Sequence, residues 1–312
     1  MKTFKLATPV LVLALTSAYA VADTTVYGKA NVSINSIDDG DNSQWELNSN
    51  ASRVGVKGSY EVSDGLEAIY QIEVEVQIDD GDKDGQTFSQ RNTFAGLKGA
   101  FGTIIVGKHD SPLKLAQGKV DRFNDQKLGD IKNYMEGEDR VSNLIMYTTP
   151  SFKGLTLTAA LVPGENADEN KDGLADGKSI SLKYSHTAFN ASISHNSDID
   201  SQDTTRFVAQ TKLASIDLGF LWQTAEKTDG SKDEDSALIS AQYSLGNGYA
   251  IKGQYGITDY SNNDKDSQFA LGVDKKLNKN SKLFAFYSQI KTDMNSSDID
   301  KTSFAIGYEL KF

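Results

Sequence analysis

From about residue 24 to its end the chain alternates apolar and polar positions with a period of two, in stretches of about ten residues separated by turn formers. The last stretch shows it plainly. Phe304, Ile306, Tyr308, Leu310 and Phe312 fall on one face, and Ser303, Ala305, Gly307, Glu309 and Lys311 on the other. The same period runs through Ile216, Leu218, Phe220 and Trp222; through Ile239, Ala241, Tyr243 and Leu245; through Tyr249, Ile251, Tyr255 and Ile257; and through Phe269, Leu271 and Val273. Nearer the N-terminus, Ala68, Tyr70, Ile72, Val74 and Val76 alternate with Ile69, Gln71, Glu73, Glu75 and Gln77. The pattern predicts about sixteen strands, starting near residues 24, 50, 65, 87, 102, 140, 154, 178, 189, 204, 215, 235, 248, 266, 281 and 301.

The connections alternate in length. Short ones carry Gly and Asn, which tolerate positive φ in tight hairpins: Asp64-Gly65, Ala100-Phe101-Gly102, Phe152-Lys153-Gly154, Gly246-Asn247-Gly248 and Asn278-Lys279-Asn280. Longer ones are acidic and polar: Asp38 to Ser43, Asp79 to Gln86, Gly164 to Gly177, Asp198 to Asp203, Lys227 to Asp235, Ser261 to Asp266 and Asp293 to Asp300. Tight turns at one rim and long loops at the other predict an all-β, transmembrane antiparallel β-barrel. A soluble sandwich would bury its apolar face on a second sheet and has no need of so many amphipathic strands.

Composition agrees once the barrel is considered. Beyond residue 22 no apolar run approaches the length of a spanning helix, which excludes a helical membrane protein. A barrel shows lipid only alternate residues and is polar on average. Residues 1–22 read as a secretory signal, with Lys2 and Lys5 before an apolar run from Leu6 to Leu15. Cleavage is expected after Ala20-Val21-Ala22, with Ala18-Tyr19-Ala20 as the other acceptable motif, and residues 23–312 then form the barrel. Loss of Lys2 and Lys5 leaves 30 basic side chains against 43 acidic ones, a balance of −13 that disfavours nucleic acid. The absence of cysteine excludes disulfides, thiol chemistry and Cys-based zinc sites.

One connection breaks the rhythm. From His109 to Asp139 there is no strand pattern, and a loop of that length is usually functional or disordered. It carries Asp110, Asp121, Asp125, Asp130, Glu136, Glu138 and Asp139 against Lys114, Lys119, Arg122, Lys127 and Lys132.

Several short motifs occur in order around it. They are Tyr27-Gly28-Lys29, Ser52-Arg53-Val54-Gly55-Val56-Lys57-Gly58, Arg91-Asn92-Thr93-Phe94-Ala95-Gly96-Leu97, and Arg140 through Asn143 to Tyr147-Thr148-Thr149-Pro150. With the long third loop and the closing Phe312, this order resembles the general diffusion porins of Gram-negative outer membranes. The resemblance implies a sixteen-stranded barrel, a homotrimer in the outer membrane among its lipids and lipopolysaccharide, with the third loop folded into the lumen to narrow the pore. It implies passive diffusion of ions and small hydrophilic solutes, with no cofactor and no enzymatic step. Carried over onto matching positions, the basic wall of the constriction would be Lys29, Arg53, Arg91 and Arg140. The loop departs from the Pro-Glu-Phe-Gly-Gly stretch of many relatives, so Asp121 and Asp125 are assigned to its acidic side by charge alone.

Alternation agrees with the wall independently, since Lys29 shares a face with Thr25, Asn31 and Ser33, and Arg53 with Lys57 and Ser59. Glu73 and Glu75 are expected on the same side and would offset part of the basic charge. Opposed charges across a constriction orient water and make passage costly for apolar solutes. The acidic outer loops favour cations and the basic wall anions, which together suggest weak cation selectivity. A substrate-selective channel for oligosaccharides or anions, and a closed structural or adhesive barrel, are the rival readings. The first would need a lumen ladder of aromatics, for which alternation offers Tyr27 and Tyr287 only.

Two loops, Asp80-Gly81-Asp82-Lys83-Asp84-Gly85 and Asp168-Glu169-Asn170-Lys171-Asp172-Gly173, imitate the first half of an EF-hand. Neither has the twelfth-position Glu, because Arg91 and Ser179 stand there, and solvated acidic loops are the simpler reading. His109, His186 and His195 are too scattered for metal ligation, and Ser111 beside His109 makes no triad by adjacency.

Overall fold

A computed structural model describes residues 23–81, 86–167, 172–231, 233–294 and 298–312. The signal segment 1–22 and most of both calcium-like loops lie outside the described residues. The first five strands are β1 (Asp23–Asp38), β2 in two pieces (Ser43–Ser49 and Arg53–Ser63), β3 (Leu66–Val76), β4 in two pieces (Phe88–Gln90 and Thr93–Gly99) and β5 (Gly102–Asp110). After the long third loop come β6 (Arg140–Thr148), β7 (Leu155–Val162), β8 (Gly177–Ser185), β9 (Phe189–Ile199), β10 (Gln202–Leu213) and β11 (Ile216–Lys227). The chain finishes with β12 (Asp233–Gly246), β13 (Tyr249–Tyr260), β14 (Lys265–Lys276), β15 (Ser281–Asp293) and β16 (Asp298–Lys311). Every neighbour pairs antiparallel, and β1 pairs β16 from Lys29↔Lys311 to Asp38↔Thr302, so the described strands close into a sixteen-stranded barrel. β2 counts once because β1 pairs its upper piece through Val32↔Ser49 and its lower piece through Lys29↔Arg53, the break falling at Asn50–Ser52. β3 bridges the two pieces of β4 in the same way.

Strand starts follow the alternation to within about three residues, except that β2 begins at Ser43 and not near residue 50, and one loop is shorter than expected. The segment from Asp198 to Asp203 continues the ladder to Ile199↔Gln202, and only Asp200-Ser201 turn, at φ of 53° and 59°. Two successive positive φ values match the twist of a two-residue hairpin, so acidic residues that looked like a loop serve the strands.

The faces differ as a barrel requires. On β14, Leu271 is 50% exposed and Gln268 is fully buried. The outer face carries the large apolar side chains, among them Phe269, Phe304, Ile306 and, against expectation, Tyr287. Tyr287 registers with Leu271 and Phe304, so its strand is read one position out if Tyr287 is taken as inward. The inward aromatics there are Phe284 and Phe286. Among the described residues no helix is long and apolar enough to cross a membrane, so any crossing rests on the strands.

The third loop opens with a one-turn helix, α1 (Pro112–Ala116), whose Ser111 hydroxyl accepts the Lys114 amide. Ser111 is thus a helix cap, while His109 Nδ1 lies 3.0 Å from the Asp110 carbonyl oxygen. The rest of the loop lies against polar faces of strands around the barrel. Gln254 and Gln268 donate to the Gly129 carbonyl at 2.8 and 2.9 Å, Thr258 to Tyr134, Ser288 to Lys127 and Ser192 to Ala116. Apolar loop residues make a core with the few apolar side chains on those faces. Val120, Ile131, Tyr134 and Met135 meet Val208, Leu221 and Leu238, and Phe123 meets Ala270, Phe284, Phe286 and Ala305. Burying a side chain such as Phe123 stabilises by about 1.5–3 kcal/mol, which helps offset the entropy of ordering the loop.

Tyr134 occupies space left by the missing side chain of Gly256, where an added Cβ would collide with its hydroxyl. Gly256→Ala is therefore expected to displace Tyr134 and loosen the loop by about 1–3 kcal/mol while the barrel persists. Faster tryptic cleavage at Lys127 or Lys132, with unchanged heat-dependent gel mobility, is the expected result.

Candidate functional site

The interruption of the strand at Asn50–Ser52 lets β2 turn while Arg53 stays on the inward face beside Lys29 of β1. Arg91 stands at the corresponding break in β4 and Arg140 at the start of β6. These four basic residues are therefore delivered by neighbouring strands to one side of the enclosed space. Each meets an acid, because charges this poorly hydrated need partners. Lys29 Nζ is 2.7 Å from Asp125 Oδ2. Arg91 spans two carboxylates, Nε to Glu73 at 2.8 Å and one terminal nitrogen to Glu75 at 2.7 Å. Arg53 lies 3.9 Å from Glu73, and the Tyr27 hydroxyl donates to the other Glu73 oxygen at 2.9 Å. Arg140 engages Asp110 at 3.0 Å and donates to Asn92 at 2.7 Å.

The two loop acids named from charge alone have different surroundings. Asp125 faces the wall through Lys29, with its backbone held at φ 67° and its amide donated to Asp130. Burial alone would raise the Asp125 carboxyl, but Lys29, then Arg53 and Arg91, hold it below the ordinary carboxylate range. Asp121 faces its own loop, accepting the amides of Phe123 and Ile131 at 2.8 and 3.1 Å. Burial, followed by the charge of Asp130, pushes the Asp121 carboxyl up.

Two cavities flank the wall. One of about 970 Å³ is lined on the long-loop side by Arg140, Glu75, Asp125 and Lys127, and one of about 430 Å³ by Lys29, Lys57, Glu73 and Lys311. They share Arg53, Arg91 and Asp110, which places those three at the junction between them. The described lining of the larger cavity has six basic and six acidic residues. The negative balance of the whole chain is thus not the charge of this cavity.

Residues on the far wall hold the loop in place. Arg206, fully buried, donates to Gln223 and Glu138 at 2.8 Å, to Gln117 at 3.2 Å and to the Glu136 carbonyl at 2.8 Å. Alternation places Arg206, Gln254 and Gln268 inward, but they look there like any other polar lining; their partners are distant in sequence. Among the described residues, the inward Phe284 and Phe286 pack against Phe123 of the loop. His186 stacks on Tyr184 and lies tilted against Phe189 near a tight-turn rim, apart from the wall.

A family profile described as Gram-negative porin matches residues 7–295. Outer membrane porin protein 32 of Delftia acidovorans is 28% identical over 305 residues, covering 88% of this chain and 86% of that protein. Major outer membrane protein P.IB of Neisseria gonorrhoeae is 30% identical over 192 residues, covering 57% of this chain and 53% of the relative, so the match spans about half the length of that protein. Among solved structures, the anion-selective porin from Comamonas acidovorans superposes with a TM-score of 0.77 at 20% identity, covering 94% of this chain and all of that one. The trimer form of OmpT of Vibrio cholerae gives 0.69 at 14% identity, covering 93% and 99%. At such identities the structures speak for the fold.

Asp139, beside Asn196 at 3.1 Å, is raised from 3.8 to about 6 by burial first and then by Asp200 and Glu138. Folding therefore binds a proton between those values. The stabilisation this brings is complete below about pH 4 and lost as pH rises through about 6, at most roughly 3 kcal/mol across the window. Thermal unfolding at pH 4.5 and 7 is expected to show a smaller pH dependence in Asp139→Asn than in the wild type.

Proposed function

Since the chain belongs to the Gram-negative porins, we propose that it forms a water-filled channel in the outer membrane for passive diffusion of ions and small hydrophilic solutes. The observation that carries this reading is the junction of the two cavities at Arg53, Arg91 and Asp110, with Lys29 and Arg140 beside it and Asp125 opposite. The third loop, lying in the lumen, narrows the passage there. Lys29, Arg53, Arg91 and Arg140 form its basic wall, with Asp125 on the acidic side; Asp121 supports the loop that presents Asp125.

Paired charges suit a general pore. Each basic residue already has a carboxylate near it, so a passing ion meets a field without an unsatisfied charge that would hold it. Hydrated solutes pass, whereas apolar ones must displace oriented water. The rival reading of a sugar-selective channel draws no support from Phe284 and Phe286, which are buried against Phe123 of the loop. We take the working form to be a homotrimer, as the solved neighbour in trimer form supports. Outward pairs such as Lys265–Asp259 and Lys291–Asp300 lie near the long-loop rim, where lipopolysaccharide would meet the barrel.

Single-channel recording of the purified protein tests the reading: large ohmic conductance in steps of three is expected, and silence overturns it. Within the constriction, Arg140→Ala should raise the cation-to-anion permeability ratio by about twofold or more, and Asp125→Asn should lower it. Arg91→Ala shifts the ratio like Arg140→Ala but leaves Glu73 and Glu75 without that partner, at a folding cost of about 3–5 kcal/mol. Reversal potentials under a salt gradient decide, and unchanged ratios in both Arg140→Ala and Asp125→Asn would remove these residues from the constriction.

A further inference from the structure

A third cavity, of about 670 Å³, lies on the tight-turn side of the loop between loop residues Ala116 to Arg122 and the inward faces of β8 to β12. It contains none of the wall residues and meets the larger constriction cavity at Gly118. Its lining holds Lys119 and Arg122 from the loop, Lys183 from β8 and Lys212 from β10, against Asp217 as its one acid among the described residues. This four-to-one excess contrasts with the even balance at the constriction.

The cations are poorly neutralised. Lys212 lies 3.8 Å from Asp217 with its side chain largely exposed, and no carboxylate among the described residues forms an ion pair with Lys119, Arg122 or Lys183. Arg122 Nε is buried and has no hydrogen-bond partner among the described residues. The guanidinium lines the cavity, where Asp217, then Asp121, are the opposite charges acting on it. The residue is also held firmly. Its amide donates to Gln254 at 2.8 Å, its carbonyl accepts from Lys252 at 2.9 Å, and neighbouring Phe123 is fully buried. Preorganisation of this kind lowers the cost of ordering a binding group.

We infer that this cavity is a binding subsite for small divalent oxyanions of the phosphate class, held by the Arg122 guanidinium with Lys183, Lys119 and Lys212 supplying charge. A guanidinium presents a planar fork of donors that fits oxyanion geometry, and ammonium groups around it act as point charges. The volume falls within the usual range for small-molecule sites. An anion that has crossed the constriction, or one approaching from the tight-turn side, is drawn to this cavity before it leaves.

The test uses inorganic phosphate and the full barrel. In detergent solution the phosphorus NMR line of phosphate should broaden with wild-type protein and broaden at least fivefold less with Arg122→Gln/Lys183→Gln. Lys183→Gln alone serves as a second variant, and heat-dependent gel mobility confirms that each is folded. In planar bilayers phosphate should reduce the chloride current more from the tight-turn side than from the long-loop side. The chain has no cysteine, so Ser231→Cys in the loop between β11 and β12, labelled with a membrane-impermeant reagent, reports orientation. Equal broadening by wild type and double variant, or equal block from both sides, overturns the subsite. Line broadening needs no conductance, so loss of the subsite and loss of the channel reading remain separate results.

Discussion

In a barrel that crosses a membrane, every backbone N–H and C=O in the lipid must find a partner within the protein. The other features follow from that constraint. It requires an unbroken ring of antiparallel ladders, and here the ring is completed where Gly28 and Phe312 exchange backbone hydrogen bonds of 2.9 and 3.1 Å. A ladder fixes the side-chain period at two, and the period divides the sequence into an apolar exterior and a polar interior. The polar interior then sets the second problem, because a wide ring of Ser, Thr, Gln and charged residues must be either solvated or satisfied.

The third loop solves this for the half of the interior formed by β8 to β16. It brings its own apolar residues to meet the few apolar ones on that wall and lends backbone carbonyls to the wall's amides and hydroxyls. On the opposite wall the basic residues of β1, β2, β4 and β6 remain beside open cavities, and Lys29–Asp125 joins that wall to the loop. Lys127–Glu46, at 3.1 Å, makes a second crossing nearer the long-loop side. The interior thus has one wall packed by the loop, except for the cavity between Ala116–Arg122 and β8 to β12, and one charged wall beside open cavities.

Most of the barrel is legible in the sequence because strand position, face and turn each leave a local mark. Phe304 to Phe312 give their strand and its orientation directly, and alternation puts Arg53 on the inward face beside Lys29. Elsewhere local marks mislead. Asp200-Ser201 looks like part of an open acidic loop and forms a two-residue hairpin, and Tyr287 looks inward while its register with Leu271 sends it outward. The loop is the least legible part, since its conformation depends on residues more than a hundred positions away, such as Gln254 and Gln268. Asp121 and Asp125 are four residues apart and chemically identical, yet one ties loop backbone together and the other meets Lys29. No local pattern separates them.

The fastening of the loop has a consequence for how such a protein changes over generations. Gln254, Gln268, Thr258, Ser288, Ser192 and Lys252 grip main-chain carbonyls, which every amino acid supplies. A loop side chain beside the larger cavity, such as Asn124, is therefore uncoupled from those holding points and can be exchanged without unseating the loop. Selection can retune the chemistry of that surface while the architecture that carries it is inherited intact.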